Sequence, residues 1–204
     1  MKKEFILTIA TILIVFGIAV LLFSGILNPK PSYTPSIVLE GNSLAPNFIL
    51  TNHKGEKFNL ADVKDKVILI FFGYTNCPDV CPIVMSKYVE LTKVLGEDAK
   101  KVALLFISTD PERDSPQAIK AFIERFDQNP SPSIIGLTGS FEELSKVWKA
   151  YNVPVEVEEH KEGENYLVGH YALIFVADKN HVLRFALTPE MSLEEYIQTV
   201  RLLL

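Results

Sequence analysis

Two uninterrupted apolar runs constrain the fold of this chain most strongly. They are "KVILIFF", residues 66–72, and "KVALLFIS", residues 101–108. A strand buried on both faces has this pattern, whereas a half-exposed strand alternates apolar and polar residues. Residues 78–95, between the two runs, have apolar spacing compatible with a helix. The pattern therefore predicts neighbouring strands in the middle of a sheet that is covered on both sides.

The segments around these runs extend the alternation of strands and helices. "FILTNHKGEKFNL" and "HYALIFVADKNHVLRFAL" each predict a hairpin, and an acidic insert before the second predicts a loop. Capping boxes predict three helix starts, at Asp114 with Gln117, at Ser140 with Glu143, and at Ser192 with Glu195. A hairpin, a β-α-β-α-β-α core, and a final hairpin and helix predict an α/β domain with a mixed central sheet.

The N-terminus predicts a membrane anchor. Residues 5–27 carry no charge and, at about 1.5 Å per residue, are long enough to span a bilayer. The run exceeds the apolar core of a signal peptide, and no A-x-A cleavage site follows it. Lys2 and Lys3 precede the run, so the positive-inside rule exports the rest of the chain. We predict a cytoplasmic stub at 1–4, an anchor at 5–27, an extended linker at 28–42 and a domain at 43–204, on a prokaryotic plasma membrane.

The charge balance excludes one class of partner. The formal net charge is -5, from 20 basic and 25 acidic residues, and there is no basic run. Nucleic-acid binding needs a basic surface to neutralise phosphates, so it is not expected. The predicted domain is also long enough to form a core without a disulfide, which weakens a purely structural role for its cysteines.

The only two cysteines, Cys77 and Cys81, are four residues apart where the first buried strand gives way to a helix. Sites in open α/β sheets gather at the carboxyl ends of strands, and a helix N-terminus favours thiolate over thiol. If both cysteines lie in the helix they share a face, at a separation slightly long for a disulfide. The spacing alone leaves a disulfide, an electron carrier and a metal site open.

The number of cysteines and the positions of the histidines narrow the choice of metal and of a third ligand. Iron–sulfur clusters typically need four cysteines, and closed zinc sites need four ligands, whereas two sulfurs and an imidazole suit copper. His53 and His181 fall in predicted turns and His160 in the acidic insert, so we expect them to be solvated. His170 precedes a predicted buried strand, where it could be either a ligand or a core histidine.

Several motifs together resemble the Sco/SenC family. They are "FFGYTNCPDVCP", "STDPERDSP", "IIGLTG" and the late histidine before "ALIFVADKN". The resemblance implies a thioredoxin-like fold, copper as Cu(I) or Cu(II), and Cys77, Cys81 and His170 as its ligands. It further implies a metallochaperone for the binuclear copper centre of cytochrome c oxidase, with oxidase subunit II as partner. The family often has Asp before this histidine and a small hydroxyl residue after it, where this chain has Gly169 and Tyr171.

A second function stays open beside the metallochaperone. Cys77 and Cys81 could form the redox-active pair of a thiol–disulfide oxidoreductase that keeps a partner's cysteines reduced and is itself served by a thioredoxin-like reductant. Loss of His170 should distinguish the two, because only the metal site requires the imidazole.

Five neighbouring residues have simpler explanations than metal binding. We expect Asp79 to be a first-turn acid, Met85 to fill the core, and Asp114 to cap a helix. Asp110 and Arg113 could rim the site, or Arg113 could pair with a nearby acid.

Overall fold

The computed structural model describes residues 2–23, 37–161 and 165–204, and the chain divides into two compact units between Thr34 and Pro35. The first unit contains helix α1, Lys2–Phe23. Within the described residues no helix has the length and apolarity needed to cross a membrane. The last residues of the predicted anchor, 24–27, and most of the predicted linker, 28–36, lie outside the described residues.

The second unit is built on an eight-stranded mixed sheet with the order β1-β10-β9-β4-β5-β6-β2-β3, and β7 and β8 pair separately. Pairing is parallel between β4, β5 and β6 and antiparallel elsewhere. The strand bounds are β1 Ile37–Val38, β2 Ile49–Asn52, β3 Lys57–Asn59, β4 Val67–Gly73, β5 Val102–Ser108, β6 Ile134–Thr138, β7 Val155–Val157, β8 Val168–His170, β9 Ile174–Ala177 and β10 Leu183–Leu187. The predicted α/β class with a mixed sheet is confirmed.

In the described part of the second unit, four α-helices cover the sheet, and two short 3-10 helices span Leu60–Asp62 and Gly96–Lys101. The α-helices are α2 Val80–Leu95, α3 Pro116–Glu124, α4 Phe141–Ala150 and α5 Leu193–Leu203. The capping boxes predicted at Ser140 and Ser192 are both present. The third predicted cap is wrong, because Ser115 rather than Asp114 caps α3 and accepts from the backbone N–H of Ala118. Asp114 is instead drawn into the interior by two hydroxyl groups, described below.

The core lies on both faces of the two central strands. Every residue of β4 and β5 is buried, as their continuous apolar sequences predict. Alternate residues of β4 enter different clusters. Leu69 and Phe71 pack with α2, α3 and α5, whereas Ile68 and Phe72 pack with α4. A rigid, doubly covered strand therefore leads directly into the cysteine segment.

Two segments contain strands that the sequence analysis does not predict. β1 lies within the predicted linker and pairs with β10. The acidic insert is not simply a loop, because β7 and β8 within it form an antiparallel pair. His170 consequently ends β8, and the buried strand β9 starts only at Ile174.

Candidate metal centre

The two cysteines lie in different local structures. Cys77 belongs to a turn before α2, in which its backbone N–H donates to the Tyr74 carbonyl at 3.2 Å. Asp79 is the N-cap residue of α2 but makes no side-chain capping bond, and Cys81 lies in the first turn. The condition for a shared helical face is therefore not met, since Cys77 precedes the helix. Cys77 is half-buried, whereas Cys81 is 0 % exposed.

Gly73, at the end of β4, makes room for the Cys81 sulfur. A Cβ atom added at Gly73 would lie 2.7 Å from Cys81 Sγ and 2.9 Å from a ring carbon of Phe71. Any side chain here would displace the thiol or the ring. Sequence reasoning missed this residue, although "FFGY" carries a signal: a glycine at the end of a buried strand often marks a close approach.

The two thiols share a proton. A hydrogen bond from the Cys81 thiol holds the pKa of Cys77 well below its ordinary value, with further help from the backbone N–H groups of Cys81 and Asp79. The same shared proton, together with burial, raises the pKa of Cys81. The pair therefore presents a thiolate at Cys77 and a protonated thiol at Cys81.

His170 lies directly beside this pair. Its Nε2 atom is 4.0 Å from Cys81 Sγ, and its Nδ1 atom is 3.3 Å from the Tyr171 carbonyl oxygen. A carbonyl only accepts, so Nδ1 carries the hydrogen and the Nε2 lone pair faces the cysteines. This carbonyl orients the imidazole in a chain that has Gly169 in place of the acid that often precedes the histidine in the family.

Two aromatic rings enclose the imidazole. Phe71 and Tyr74 meet it edge to face, with ring centroids 6.1 and 5.9 Å away. The Tyr74 hydroxyl is also hydrogen-bonded to the backbone of Val168. The aromatic walls limit rotation of the His170 ring and keep bulk water from its inner side.

The donor atoms suit one soft metal ion. Sulfur and imidazole ligands lie about 2.3 and 2.0 Å from an ion of this size, so two on one ion can be at most about 4.3 Å apart. The 4.0 Å between Cys81 Sγ and His170 Nε2 meets that limit. In the described ranges, however, no three His, Cys, Asp or Glu side chains are clustered tightly enough to hold an ion as they lie.

Asp114 supports the turn of residues 74–77, which contains Cys77. Its Oδ1 accepts from the Thr75 backbone N–H at 3.1 Å and from the Thr75 hydroxyl at 2.6 Å, and its Oδ2 accepts from Ser108 at 2.7 Å. Burial raises the pKa of Asp114 to about 6, although these hydrogen bonds lower it. Both carboxyl oxygens of Asp114 are thus engaged by Thr75 and Ser108, and the carboxyl anchors the turn before Cys77.

Asp110 and Arg113 reach the hairpin that carries His170. Asp110 Oδ2 pairs with Arg113 Nε at 2.5 Å, and its Oδ1 accepts from the Tyr166 hydroxyl at 2.8 Å. The Arg113 guanidinium lies 3.4 Å from the centroid of the Tyr166 ring. The expectation of an acid partner for Arg113 is confirmed, and so is the core position of Met85, which is 1 % exposed.

The remaining histidines are not simply solvated, contrary to expectation. His53 Nδ1 accepts from the Gly136 backbone N–H at 3.0 Å, and burial lowers the pKa of His53. His181 Nε2 lies 2.6 Å from the Val63 carbonyl oxygen. The His160 side chain is 16 % exposed and stacks on Tyr166 with ring centroids 3.5 Å apart. His160 Nε2 also lies 3.3 Å from Glu112 Oε2, so each of the three histidines has a contact that is long-range in sequence.

Comparisons with known proteins agree with this architecture. A family model described as SCO1/SenC matches residues 38–204. An SCO2-like protein of Rickettsia typhi is 28% identical over 200 residues, covering 96% of each chain. The structure of Bradyrhizobium japonicum ScoI with copper bound is 35% identical, with a TM-score of 0.71, and the match covers 79% of this chain and 100% of that one.

A second solved structure extends the likeness. The apo Sco1 protein of Thermus thermophilus is 28% identical, with a TM-score of 0.74, covering 86% of this chain and 100% of that one. The predicted thioredoxin-like fold is confirmed by these structural likenesses.

Proposed function

This chain belongs to the SCO1/SenC family, and on that premise we propose that it is a membrane-anchored copper metallochaperone. Cys77, Cys81 and His170 hold one copper ion, as Cu(I) or Cu(II). The observation that carries the proposal is the position of the His170 imidazole beside the cysteine pair of the β4–α2 junction, with Nε2 4.0 Å from the Cys81 sulfur. The copper-bound Bradyrhizobium japonicum relative supports the choice of metal.

The chemistry of the donors supports copper over other metals. Copper supplies the soft acceptor that two sulfurs and one imidazole prefer, at a low coordination number. The protein contributes a thiolate at Cys77, a buried thiol at Cys81 that gives up its proton when the metal enters, and an imidazole of fixed tautomer. Three ligands leave the site open on one side, which favours handover to another copper site.

The proposed recipient is the apo binuclear copper centre of oxidase subunit II. Support comes from the association of the Sco family with cytochrome c oxidase assembly. Transfer proceeds by stepwise ligand exchange, each partner ligand replacing one of the three. The domain is acidic, with a formal charge of -5 for the whole chain, so electrostatic attraction to anionic lipid does not hold it at the membrane.

We also propose that residues 5–27 anchor the chain in a prokaryotic plasma membrane, with the domain outside the cytoplasm. In α1 the seven consecutive residues Ile12–Ile18 are exposed, and none of them is charged. Seven residues cover two turns, so this part of the helix has no polar face for water. The test is carbonate extraction of membranes: the full chain should stay in the pellet, and its release into the supernatant would contradict the anchor.

The decisive experiment loads the reduced domain with copper and measures the stoichiometry and the thiolate-to-Cu(II) absorption band. One copper per chain is expected for the parent, with the band lost in Cys77→Ser and Cys81→Ser. His170→Ala should weaken binding, because one of three ligands is removed. Met85→Leu is the matched control, since Met85 is a soft but buried core residue. Equal copper binding by all three ligand variants and the parent would refute the proposal.

A thiol–disulfide oxidoreductase is the second candidate, favoured by the lowered pKa of Cys77 beside a second thiol. It would reduce a partner's cysteines and be recycled by a thioredoxin-like reductant. His170→Ala discriminates the two functions. A parent protein that binds no copper, together with a His170→Ala variant that reduces a subunit II peptide as fast as the parent, would favour this candidate.

A further inference from the structure

One loop contacts both halves of the proposed site. Residues 109–115, between β5 and α3, carry Asp110 and Asp114, which are 2 % and 1 % exposed. Carboxylates are rarely buried so completely unless their oxygen atoms have partners, because an unpaired buried charge is strongly unfavourable. Each of these carboxylates has partners, and the partners of the two lie on different sides of the site.

The Asp114 side of the loop holds the cysteine turn. Thr75, two residues before Cys77, donates both its backbone N–H and its hydroxyl to Asp114 Oδ1. The Thr75 carbonyl in turn accepts from Arg125 Nη2 at 3.3 Å. The turn that places Cys77 is therefore fixed by contacts to a separate, buried element, in addition to its own hydrogen bond.

The Asp110 side of the loop holds the histidine hairpin. The Tyr166 hydroxyl donates to Asp110 Oδ1, and the Tyr166 ring lies between the Arg113 guanidinium and the His160 ring. Both groups lie within 3.5 Å of the same ring centroid, so they must occupy opposite faces. Tyr166 lies two residues before β8, and the buried Tyr166 and Val168 and the half-buried His170 alternate with the exposed Leu167 and Gly169. Fixing Tyr166 therefore fixes the side from which His170 enters.

We propose that Asp110 and Asp114 are positioning residues that set the two halves of the site independently. Asp110, through Tyr166, places the imidazole of His170. Asp114, through Thr75, places the turn at Cys77. The proposal rests on the function proposed above, because the site it concerns is the copper site, but its consequences extend to the metal-free protein.

The test removes one hydroxyl from each half without changing charge. Tyr166→Phe loses the donor to Asp110 and a longer, 3.5 Å contact to Glu112 Oε2. Thr75→Val loses the hydroxyl donor to Asp114 and a longer, 3.3 Å contact to Asn76 Oδ1. Each has a matched control elsewhere in the domain: Tyr151→Phe, which loses a 2.9 Å bond to the Pro46 carbonyl, and Thr92→Val, which loses a 2.8 Å bond to the Val89 carbonyl. Thr75→Ser keeps the hydroxyl and should restore the parent's behaviour.

Tyr166→Phe should affect the histidine half alone. In the metal-free protein we expect the nuclear Overhauser contact between the His170 and Tyr74 rings to weaken. In the Cu(II) complex we expect loss of nitrogen hyperfine coupling and copper dissociation about tenfold faster. The equilibrium between disulfide and dithiol should stay within about twofold of the parent, because the Thr75 contact is intact.

Thr75→Val should affect the cysteine half alone. The measurement is equilibration with dithiothreitol, which supplies two electrons and two protons as the Cys77–Cys81 S–S bond breaks into two thiols and itself closes to a cyclic disulfide. The Thr75 contact is present in the dithiol form. Its loss should move the equilibrium toward the disulfide about tenfold, or about 30 mV, with nitrogen coupling unchanged.

Two results would overturn the proposal. One is that both variants alter both readouts in proportion to a fall in thermal stability, which a merely structural role predicts. The other is that neither variant differs from its control. If the parent binds no copper, the function proposed above fails, while the disulfide equilibrium and the Overhauser contact still decide this inference.

Discussion

Gly73 determines the place of a reactive sulfur although it has no reactive group itself. Cys81 Sγ occupies the space that any side chain at this position would need. Asp114 acts in a comparable way, since it holds Thr75, two residues before Cys77, through two hydrogen bonds. At the scale of single residues, the site depends on groups that lie behind the ligands as well as on the ligands themselves.

Gly73→Ala should impair copper binding specifically. The added methyl group meets Cys81 Sγ at 2.7 Å, and such overpacking costs about 1–3 kcal/mol of unfolding free energy. The matched control is Gly136→Ala in β6, whose added methyl group would meet the Ile119 side chain at 2.1 Å. Urea unfolding should show both variants destabilised, whereas the thiolate-to-copper band should change only in Gly73→Ala. An unchanged band in Gly73→Ala would contradict the role of this glycine.

Asp114 should make the domain less stable as the pH rises from about 4 to 6. Burial raises the folded pKa from 3.8 to about 6, so over this window the folded state holds a proton that the unfolded state has lost. Unfolding free energy therefore falls with pH, by roughly 2–3 kcal/mol from this group. Urea titrations of the parent and Asp114→Asn across pH 4–7 should give a difference that grows in this window and then levels off. A pH-independent difference would contradict the raised pKa.

The ligands come from two elements that differ in their attachment to the domain. Cys77 and Cys81 follow β4, which pairs on both edges and is buried throughout. His170 ends β8, which pairs only with the three-residue β7. A ligand on a short hairpin can move farther than ligands on a central strand, because local opening there breaks few contacts.

Copper should therefore protect the hairpin more than the central sheet. When copper links His170 to the cysteines, opening of the β7–β8 pair must also break a metal bond. Amide hydrogen exchange in Val155–Val157 and Val168–His170 should slow about tenfold on copper loading, whereas exchange in β4 and β5 should stay the same. His170→Ala serves as the control, and protection that persists in it would show that the effect does not pass through the imidazole.

The sequence predicts the central strands of this arrangement better than it predicts the β7–β8 pair. β4 and β5 can be predicted from their apolar runs, because a strand that is buried on both faces has consecutive apolar residues. β7 and β8 were missed although "VEVE" alternates, because three-residue strands depend on a partner that the sequence does not identify. Asp114 and Ser115 are equally good caps in "RDSP", and only the buried hydroxyls of Thr75 and Ser108, distant in sequence, decide between them.

The whole chain combines a copper-handling domain with a segment whose apolar side chains face outward in the described part of α1. Both cysteines belong to the domain, so their accessibility reports which side of a membrane the domain occupies. The proposed orientation, with Lys2 and Lys3 inside, places both thiols outside the cytoplasm.

A membrane-impermeant maleimide should label reduced intact cells through Cys77. The expected result is labelling of the full chain without permeabilisation and none in Cys77→Ser, since Cys81 is fully buried. A version lacking residues 1–34, which keeps β1 and the whole second unit, should stay in the cytoplasm and be labelled only after lysis. Labelling of the full chain that requires permeabilisation would place the domain inside and refute the topology.

The unequal burial of the two cysteines sets the order in which they react with a partner. A partner disulfide can reach Cys77, which is half-buried, but not Cys81, which is 0 % exposed. The Cys77 thiolate therefore attacks the partner's S–S bond, forming a mixed disulfide and releasing one partner thiolate; Cys81 then attacks the Cys77 sulfur, closes the Cys77–Cys81 disulfide and releases the second partner thiolate. With Cys81→Ser the second step is lost, so a partner that carries a disulfide should remain attached as a mixed disulfide, whereas Cys77→Ser should capture nothing. The accessible sulfur of Cys77 therefore captures a partner, and the buried sulfur of Cys81 releases it.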